Sequence, residues 1–486
     1  MENKYITTVN KLTSFRWLLI IIIAGSLFSS CKKLVEINAP VNSITSSETF
    51  ADSSDAVSAI AGIYYSMLNA SGNISIGSSG TTLLSGLSSD EFLYFVSSPE
   101  YNQFYSNSLI SNNSLVNTSL WKPAYSYIYQ ANACIKGLSD SKSLSVAARN
   151  EFIGEAKFLR AFNYFYLVNL FGDVPLLTTI DFKANSIAAR TPKAQVYDQI
   201  IADLMEAQNL LASDYSYSTK EKVRANKWAA TALLARVYLY VGKSASADSA
   251  SSSVIGSSLY SLSPLTGANN VFSKNSSEAI LQLQIDSIYL NATPEGYNIL
   301  PRNNTSAPKF YINPQLLNAF EINDLRKNAW ISSTTYLGTT YPYPNKYKVG
   351  SGQALVNGGT TEYYMMLRLA EQYLIRAEAR AQQNNVTGAI ADLNIIRQRA
   401  GLSSLPSSLT QTQVLAAIMQ ERRIELFAEW GHRWLDLKRT GMVDVVMSAA
   451  TPAKGQATIW QSYQQLYPIP SSEMLYDPNL IQNSGY

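Results

Sequence analysis

The sequence predicts an all-α protein with minor β, a superhelix of stacked helical hairpins decorated with long loop insertions. Three observations carry that reading. Apolar residues recur with the helical period through most of the chain, two well-separated segments repeat one hairpin pattern, and stretches with strand-like alternation are few and short. With 486 residues, 46% hydrophobic and 15% charged, the chain has material for a large core and is too apolar for intrinsic disorder.

The elements follow in order. From Trp121 the packing residues fall at Trp121, Tyr125, Ile128, Asn132 and Ile135, alternating steps of four and three that share one helix face. Residues 151–170 are apolar on nearly all sides, as a central helix flanked by two neighbours must be, and Gly172 with Pro175 stops it. Further helices are expected over 195–211 and 226–241. After a long polar stretch the period returns at 362–382, 387–400 and 410–439, with Thr387 and Thr410 as N-caps and Gly401 as a stop. The strand-like pieces are 279–285, which alternates apolar and polar residues, and 346–349.

Two helical segments resemble each other: Ala232-Leu-Leu-Ala-Arg-Val-Tyr-Leu-Tyr-Val-Gly242 followed by Ala247, and Leu369-Ala-Glu-Gln-Tyr-Leu-Ile-Arg-Ala-Glu-Ala379 followed by Gly388 and Ala389. Both look like tetratricopeptide helix pairs. Small alanines at the helix crossings and an aromatic knob let such hairpins stack closely, and insertions break any strict 34-residue period.

The N-terminus sets the expected compartment. Lys4, Lys11 and Arg16 precede an apolar run from Trp17 to Phe28. Its twelve residues span about 18 Å as a helix, against about 30 Å for a hydrocarbon core, so residues 1–30 read as a signal peptide and not a membrane span. The run ends Leu27-Phe28-Ser29-Ser30-Cys31, which looks like a bacterial lipoprotein processing site with Cys31 as the acylated new N-terminus; Leu27 sits one place further out than usual. An ordinary signal peptide before a chance cysteine is the alternative. Removal of the signal leaves Cys134 as the one unmodified thiol, so no disulfide is expected; among Tyr129, Ala131 and Ile135 it fits a packed face rather than a nucleophile.

Composition removes several classes of function. Lys+Arg is 38 and Asp+Glu is 35, a net charge of +3, which provides no broad basic footprint for nucleic acid. The single histidine, His432, excludes a two-histidine zinc centre, a facial iron triad or a histidine relay. No metal and no cofactor is expected.

Several blocks together resemble the SusD/RagB family. They are Cys31 after a short signal, Trp121 with Tyr125-Ser-Tyr-Ile-Tyr-Gln-Ala-Asn132, Glu155-Ala-Lys-Phe-Leu-Arg-Ala-Phe162 running to Phe171-Gly-Asp-Val-Pro175, and Ala391-Asp-Leu-Asn-Ile-Ile-Arg-Gln-Arg-Ala-Gly401. Glu421-Arg-Arg-Ile-Glu-Leu-Phe-Ala-Glu-Trp-Gly-His-Arg-Trp-Leu-Asp-Leu-Lys-Arg439, Tyr467-Pro-Ile-Pro-Ser-Ser-Glu473 and Asp477-Pro-Asn479 follow in the family's order. The resemblance implies a SusD-like fold: one domain over 31–486, with a tetratricopeptide-like part at 45–260 and a C-terminal part at 270–486 that carries a loop-rich insertion at 286–360. It also implies a lipid-anchored, surface-exposed outer-membrane protein that captures nutrients, usually oligosaccharides, as a lid on a SusC-like TonB-dependent barrel. Peptide ligands are known within the family, so a peptide-capturing protein with the same lid role stays open.

Motifs with apparent chemistry read as framework. Glu421, Glu425 and Glu429 stand at i, i+4 and i+8, and Arg422, Arg423, Arg433 and Arg439 lie near enough in sequence to neutralise them, so a buried salt-bridge network is expected rather than acid–base catalysis. His432 and Asp436 lie on adjacent turns and no G-x-S-x-G elbow precedes any serine, which leaves no catalytic triad. Gly350, Gly352, Gly358 and Gly359 lack the lysine and the strand-to-helix context of a phosphate loop. No enzyme activity is expected.

The positive signal is aromatic. Tyrosine (31) nearly doubles phenylalanine (16), whereas a buried core favours the ring without a hydroxyl. Tyr94, Phe95, Tyr101, Phe104 and Tyr105 cluster after Ser89-Asp90-Glu91; Tyr289, Tyr297, Tyr311, Trp330, Tyr336, Tyr341, Tyr343 and Tyr347 populate a second insertion, with Asn102, Gln103, Asn107, Asn303 and Asn304 interspersed. A sugar offers an apolar C–H face and a rim of hydroxyls, so its site needs an exposed ring and amides. For any single ring, pinning a loop to the scaffold is the commoner role, and Trp330 is assigned to the framework. The family's usual ligand platform implicates Tyr94, Tyr101, Tyr105, Tyr336, Tyr341 and Tyr343, and Asn102 joins them as a candidate amide.

Overall fold

The structure, a computed structural model, describes residues 50–69, 74–285, 292–303, 305–351, 360–455 and 458–486. The signal segment 1–30, Cys31, Tyr289, Asn304, Gly352, Gly358 and Gly359 lie outside the described residues.

Helix α1 (Ser53–Leu68) starts at Asp52, whose carboxylate accepts from the Ser54 and Asp55 amides, and α2 (Ser79–Ser88) follows, buried along its whole length. Strand β1 (Phe92–Tyr94) and helix α3 (Pro99–Tyr105) come next, then α4 (Lys122–Asp140), entered through a π-helical turn at Val116–Trp121. Helix α5 (Val146–Phe171) is buried at every residue from Phe158 to Phe171, as its all-round apolar pattern requires, and Gly172 ends it at φ 77°. The short β2 (Val174–Pro175) and β3 (Arg190–Thr191) pair before α6 (Lys193–Leu210), α7 (Lys227–Tyr240) and α8 (Ser244–Ile255).

Residues 256–368 interrupt the helical array. They carry β4 (Ala279–Leu283), β5 (Phe310–Ile312), helix α9 (Leu325–Trp330), the hairpin β6 (Ile331–Tyr336) and β7 (Thr339–Pro344), and β8 (Tyr364–Arg368). Helices α10 (Leu369–Gln382), α11 (Val386–Arg399), α12 (Gln411–Glu425), α13 (His432–Arg439) and α14 (Val443–Ala453) complete the order used below.

From α4 to α8 each helix packs on the next, and α10 then packs on α8, so the stack resumes across the insertion. Alanines make this possible: Ala229, Ala230, Ala232 and Ala235 of α7 and Ala370, Ala377, Ala379 and Ala381 of α10 are fully buried where the helices approach. The two self-similar segments are also joined by chemistry. Arg236 of α7 grips Glu371 of α10 through two bonds of 2.6 Å and donates to Tyr166 of α5 at 3.1 Å. The helical-hairpin superhelix with minor β is thus present as expected.

Four local expectations are corrected. Residues 362–382 begin as strand β8, which pairs antiparallel with β4, because Tyr364 to Leu367 are buried on both faces and suit a strand as well as a helix. Asn385, not Thr387, caps α11, its side chain accepting from the Gly388 amide. Residues 346–349 form no strand. The span 410–439 is two helices, broken after Glu425 by positive φ at Ala428 (54°), Trp430 (49°) and Gly431 (67°). Burial of the Trp430 indole drives the break: its Nε1 donates to the Met365 carbonyl at 2.7 Å, its backbone N donates to Thr82 Oγ1 at 2.8 Å, and Phe162, Tyr166 and Tyr364 surround the ring.

Candidate functional site

Strands β1 and β5 pair antiparallel, Phe92 opposite Ile312 and Tyr94 opposite Phe310, and the Phe95 amide extends the ladder to the Lys309 carbonyl at 2.9 Å. Period-two alternation then sorts the aromatic residues onto two faces. The inner face carries Phe92, Phe310 and Ile312, all buried, and Tyr94. Tyr94 stacks on Tyr101 of α3 with ring centroids 4.8 Å apart, and both rings touch Phe310.

The outer face carries Phe95 and Tyr311. The β6–β7 register sets Thr334 opposite Tyr341 and Ser332 opposite Tyr343, so Tyr336, Tyr341 and Tyr343 share one face of that hairpin. Phe95 meets Tyr336 and Tyr341 edge-on at 5.7 and 5.4 Å, and Tyr311 meets Tyr341 edge-on at 5.1 Å. Phe95 remains 41% exposed. The two insertions singled out in the sequence therefore converge on one aromatic surface.

The seven expected positions divide within it. Tyr336 and Tyr341 belong to the outer cluster; Tyr94, Tyr101 and Tyr343 are half-buried against the core. Tyr105 is tethered, its Oη donating to the Lys454 carbonyl at 2.9 Å. Asn102 is exposed on α3 with its side-chain amide unpartnered among the described residues. Burial pushes the Tyr94 and Tyr105 phenols up to about 12, and raises those of Tyr101 and Tyr311, so each keeps its proton at neutral pH; Tyr105 spends its proton on Lys454 and can only accept further, whereas the other three can donate and accept. Phe95, Phe310 and Tyr311 were absent from the expected set. The alternations Phe92-Leu-Tyr-Phe95 and Phe310-Tyr-Ile312 were the available signal for them.

The remaining motifs are framework. Glu421, Glu425 and Glu429 are buried in a salt-bridge network, but their partners come from elsewhere in the chain, not from Arg422, Arg423, Arg433 and Arg439. Arg326 reaches Glu421 and Glu425 at 2.5 and 2.9 Å; Arg368 reaches Glu425 and Glu429 at 2.6 and 2.8 Å; Arg399 bonds Glu425 and Lys346 bonds Glu429. Burial would raise the Glu425 carboxyl, but the Arg399, Arg368 and Arg326 charges outweigh it and hold it well below the usual carboxylate value. The helix break explains the exchange of partners, since it turns Glu429 off α12 and sends Arg433 and Arg439 along α13. Arg422 pairs with Asp436, Arg439 with Asp436 and Glu378, and Arg423 and Arg433 with Asp90.

His432 is fully enclosed; burial pulls its imidazole down to about 4, and the acidic neighbour within 4 Å among the described residues is Glu371, 3.9 Å from Nε2. It is a neutral packing residue at neutral pH. Burial pushes the Cys134 thiol up to about 12, so it is no nucleophile. Trp330 is buried beneath the Lys346 ammonium, 4.6 Å from its ring centroid, which confirms its framework role. Among the described residues no three His, Cys, Asp or Glu side chains are grouped to hold a metal ion.

Comparison with known proteins follows the same lines. The family model described as "SusD family" matches residues 320–486, and one described as "Starch-binding associating with outer membrane" matches residues 41–239. The chain is 26% identical over 422 residues to SusD-like protein P25 of Formosa agariphila, covering 75% of this chain and 79% of that protein. It is 26% identical over 431 residues to the starch-binding protein SusD of Bacteroides thetaiotaomicron, covering 72% and 74% respectively. Among solved structures, a SusD-like protein from Bacteroides fragilis superimposes with a TM-score of 0.76 at 23% identity, covering 92% of this chain and 100% of that one. A laminarin-binding SusD-like protein superimposes with a TM-score of 0.71 at 25% identity, covering 89% and 99%. Motif order, helical stack and both family matches converge: the chain belongs to the SusD/RagB family.

Proposed function

We propose that this chain is a non-enzymatic, lipid-anchored protein of the outer membrane surface, tethered through Cys31, that captures oligosaccharides for import through a SusC-like TonB-dependent barrel. The observation that carries the reading is the outer aromatic cluster. Phe95, Tyr336 and Tyr341 meet edge to face and Phe95 stays exposed, which leaves ring surface for the C–H face of a sugar, while the Tyr311 hydroxyl beside Tyr341 supplies a hydrogen bond to its hydroxyls. The starch-binding name of the Bacteroides thetaiotaomicron relative, the laminarin-binding name of the structural neighbour and the matched model's outer-membrane description support it.

Binding of the purified chain to plant, host and microbial polysaccharides, alongside a peptide mixture, tests the ligand class. A saccharide that binds and is lost with Phe95→Ala, Tyr336→Ala or Tyr341→Ala is the expected result. Peptide retention without glycan binding makes the chain a peptide-capturing member and the aromatic surface scaffold. Intact mass of the membrane-extracted protein tests the acylation of Cys31. Co-purification of a barrel with the tethered protein tests the partner.

A further inference from the structure

Away from the aromatic surface, the α7–α8 turn, α10, α12 and α13 surround a cleft of about 880 Å³. Its wall combines Tyr240, Met419 and Met442 with three arginines, Arg423, Arg433 and Arg439. Arg439 is spent: Nη1 and Nη2 bind Glu378 at 2.6 and 2.7 Å and Nε binds Asp436 at 2.7 Å. The other two are not. Arg423 Nη2 donates to Asp90 Oδ2 at 2.7 Å, and Arg433 donates through Nε to Oδ1 at 2.7 Å and through Nη2 to Oδ2 at 2.9 Å. One carboxylate thus holds two guanidiniums; Arg423 Nε is buried with no partner, and neither Nη1 is engaged by Asp90 or by any other group among the described residues.

The charges around the cleft do not balance. Arg422, Arg423, Arg433 and Arg439 face Asp90, Glu378 and Asp436, which leaves one positive charge uncompensated. The neighbouring Glu91 does not supply the missing anion, because burial and then the Asp90 charge push its carboxyl up to about 8. His432, pulled down to about 4, adds no cation. Burial and the adjacent Arg433 charge lower the Arg423 guanidinium, which Asp90 only partly offsets.

We propose that this cleft is a binding site for a small oxyanion, a carboxylate or a sulfate group, held by the free Nη1 groups of Arg423 and Arg433. Paired guanidinium N–H groups match the spacing of such oxygens, and charge-assisted bonds of this kind are roughly twice as strong as neutral ones. Leu415, Met419 and Met442 give the carrier of the anion an apolar wall. The site shares no residue with the aromatic surface, so it stands whether or not that surface binds glycan.

Methyl NMR of the methionines tests the site with named probes: sodium sulfate, sodium glucuronate and uncharged glucose, at ionic strength held constant with NaCl. Saturable shifts of the Met419 and Met442 methyls with either anion, none with glucose and none at the distant Met205, are expected. A response to both anions shows that the oxyanion suffices; a response to glucuronate alone or to sulfate alone identifies the sugar carboxylate or the sulfate as the source. Removing Arg433 risks the fold through Asp90, so the variant is placed on the exposed rim of α12. Ala416→Glu brings a like charge to the mouth and is expected to weaken anion binding about tenfold or more, while Ala416→Gln leaves it unchanged. No saturable shift with either anion, or a shift that Ala416→Glu leaves intact, overturns the proposal.

Discussion

Glu425→Gln removes one charge from the centre of the molecule and keeps the side-chain volume. Glu425 Oε1 accepts from Arg368 Nη1 at 2.6 Å and from Arg399, Oε2 accepts from Arg326 Nη1 at 2.9 Å, and the carboxylate is fully buried. The three guanidiniums are not left bare. Arg326 keeps Asp324 and Glu421, Arg368 keeps Glu278 and Glu429, and Arg399 keeps Glu278. The variant therefore exposes one uncompensated charge rather than three, and breaking a single buried pair of this kind costs about 3–5 kcal/mol. Set against a typical total stability of about 5–15 kcal/mol, that is a large fraction. Urea unfolding followed by circular dichroism is the assay, with a lower midpoint at unchanged m-value as the expected result. Adding Arg399→Gln to Glu425→Gln removes the surplus positive charge from the network, in which Glu278 still keeps Arg368, so the double variant is expected to lose less than the single one. A loss below about 1 kcal/mol, the range of exposed pairs, refutes the claim that this block is a buried framework.

Three further outcomes are expected. Trp430→Ala empties the pocket that forces the break between α12 and α13, and is expected to cost about 3–5 kcal/mol in the same urea assay. Leu337 sits exposed at φ 47° beside Gly338 at φ 79° in the β6–β7 turn; Leu337→Asn, which tolerates that backbone, is expected to stabilise by about 0.4–1 kcal/mol, read as a rise in Tm. Burial pushes the Glu295 carboxyl up to about 8, against about 4.3 for an unfolded chain, so between those values the native state holds a proton that the unfolded state releases. Stability from this group is present below the unfolded value and lost as pH rises towards 8; Glu295→Gln is expected to flatten the pH dependence in that window, measured by unfolding at successive pH values.

Much of the helical stack was legible because burial on one helix face leaves a period in the sequence. The all-round apolar run became α5, Thr410 became a cap, and the two alanine-rich segments became neighbours through α8. What escaped was decided by distant partners. Strand β8 owes its form to β4, some 80 residues earlier in the chain, and short buried runs suit either period. The β6–β7 hairpin alternates Ser, Thr and Tyr rather than apolar and polar residues, and Pro342 and Pro344 argue against a strand although β7 carries both. Proximity in sequence suggested the wrong arginines for Glu421, Glu425 and Glu429, because guanidiniums from α9, β8 and α11 arrive through tertiary packing. The aromatic insertions were visible from composition. Their division into an inner and an outer face required the β1–β5 register, which brought in Phe95 and Tyr311 beside Tyr336 and Tyr341.

The most direct test of the glycan-capture account is the affinity of the purified chain for its best-retained polysaccharide, measured by calorimetry, compared with a Phe95→Ala/Tyr341→Ala variant whose unfolding midpoint is unchanged. The account predicts a loss of at least about tenfold in affinity, the weight of roughly 1.4 kcal/mol of ring contact. Equal affinity in the folded variant contradicts it and moves the ligand away from the aromatic surface.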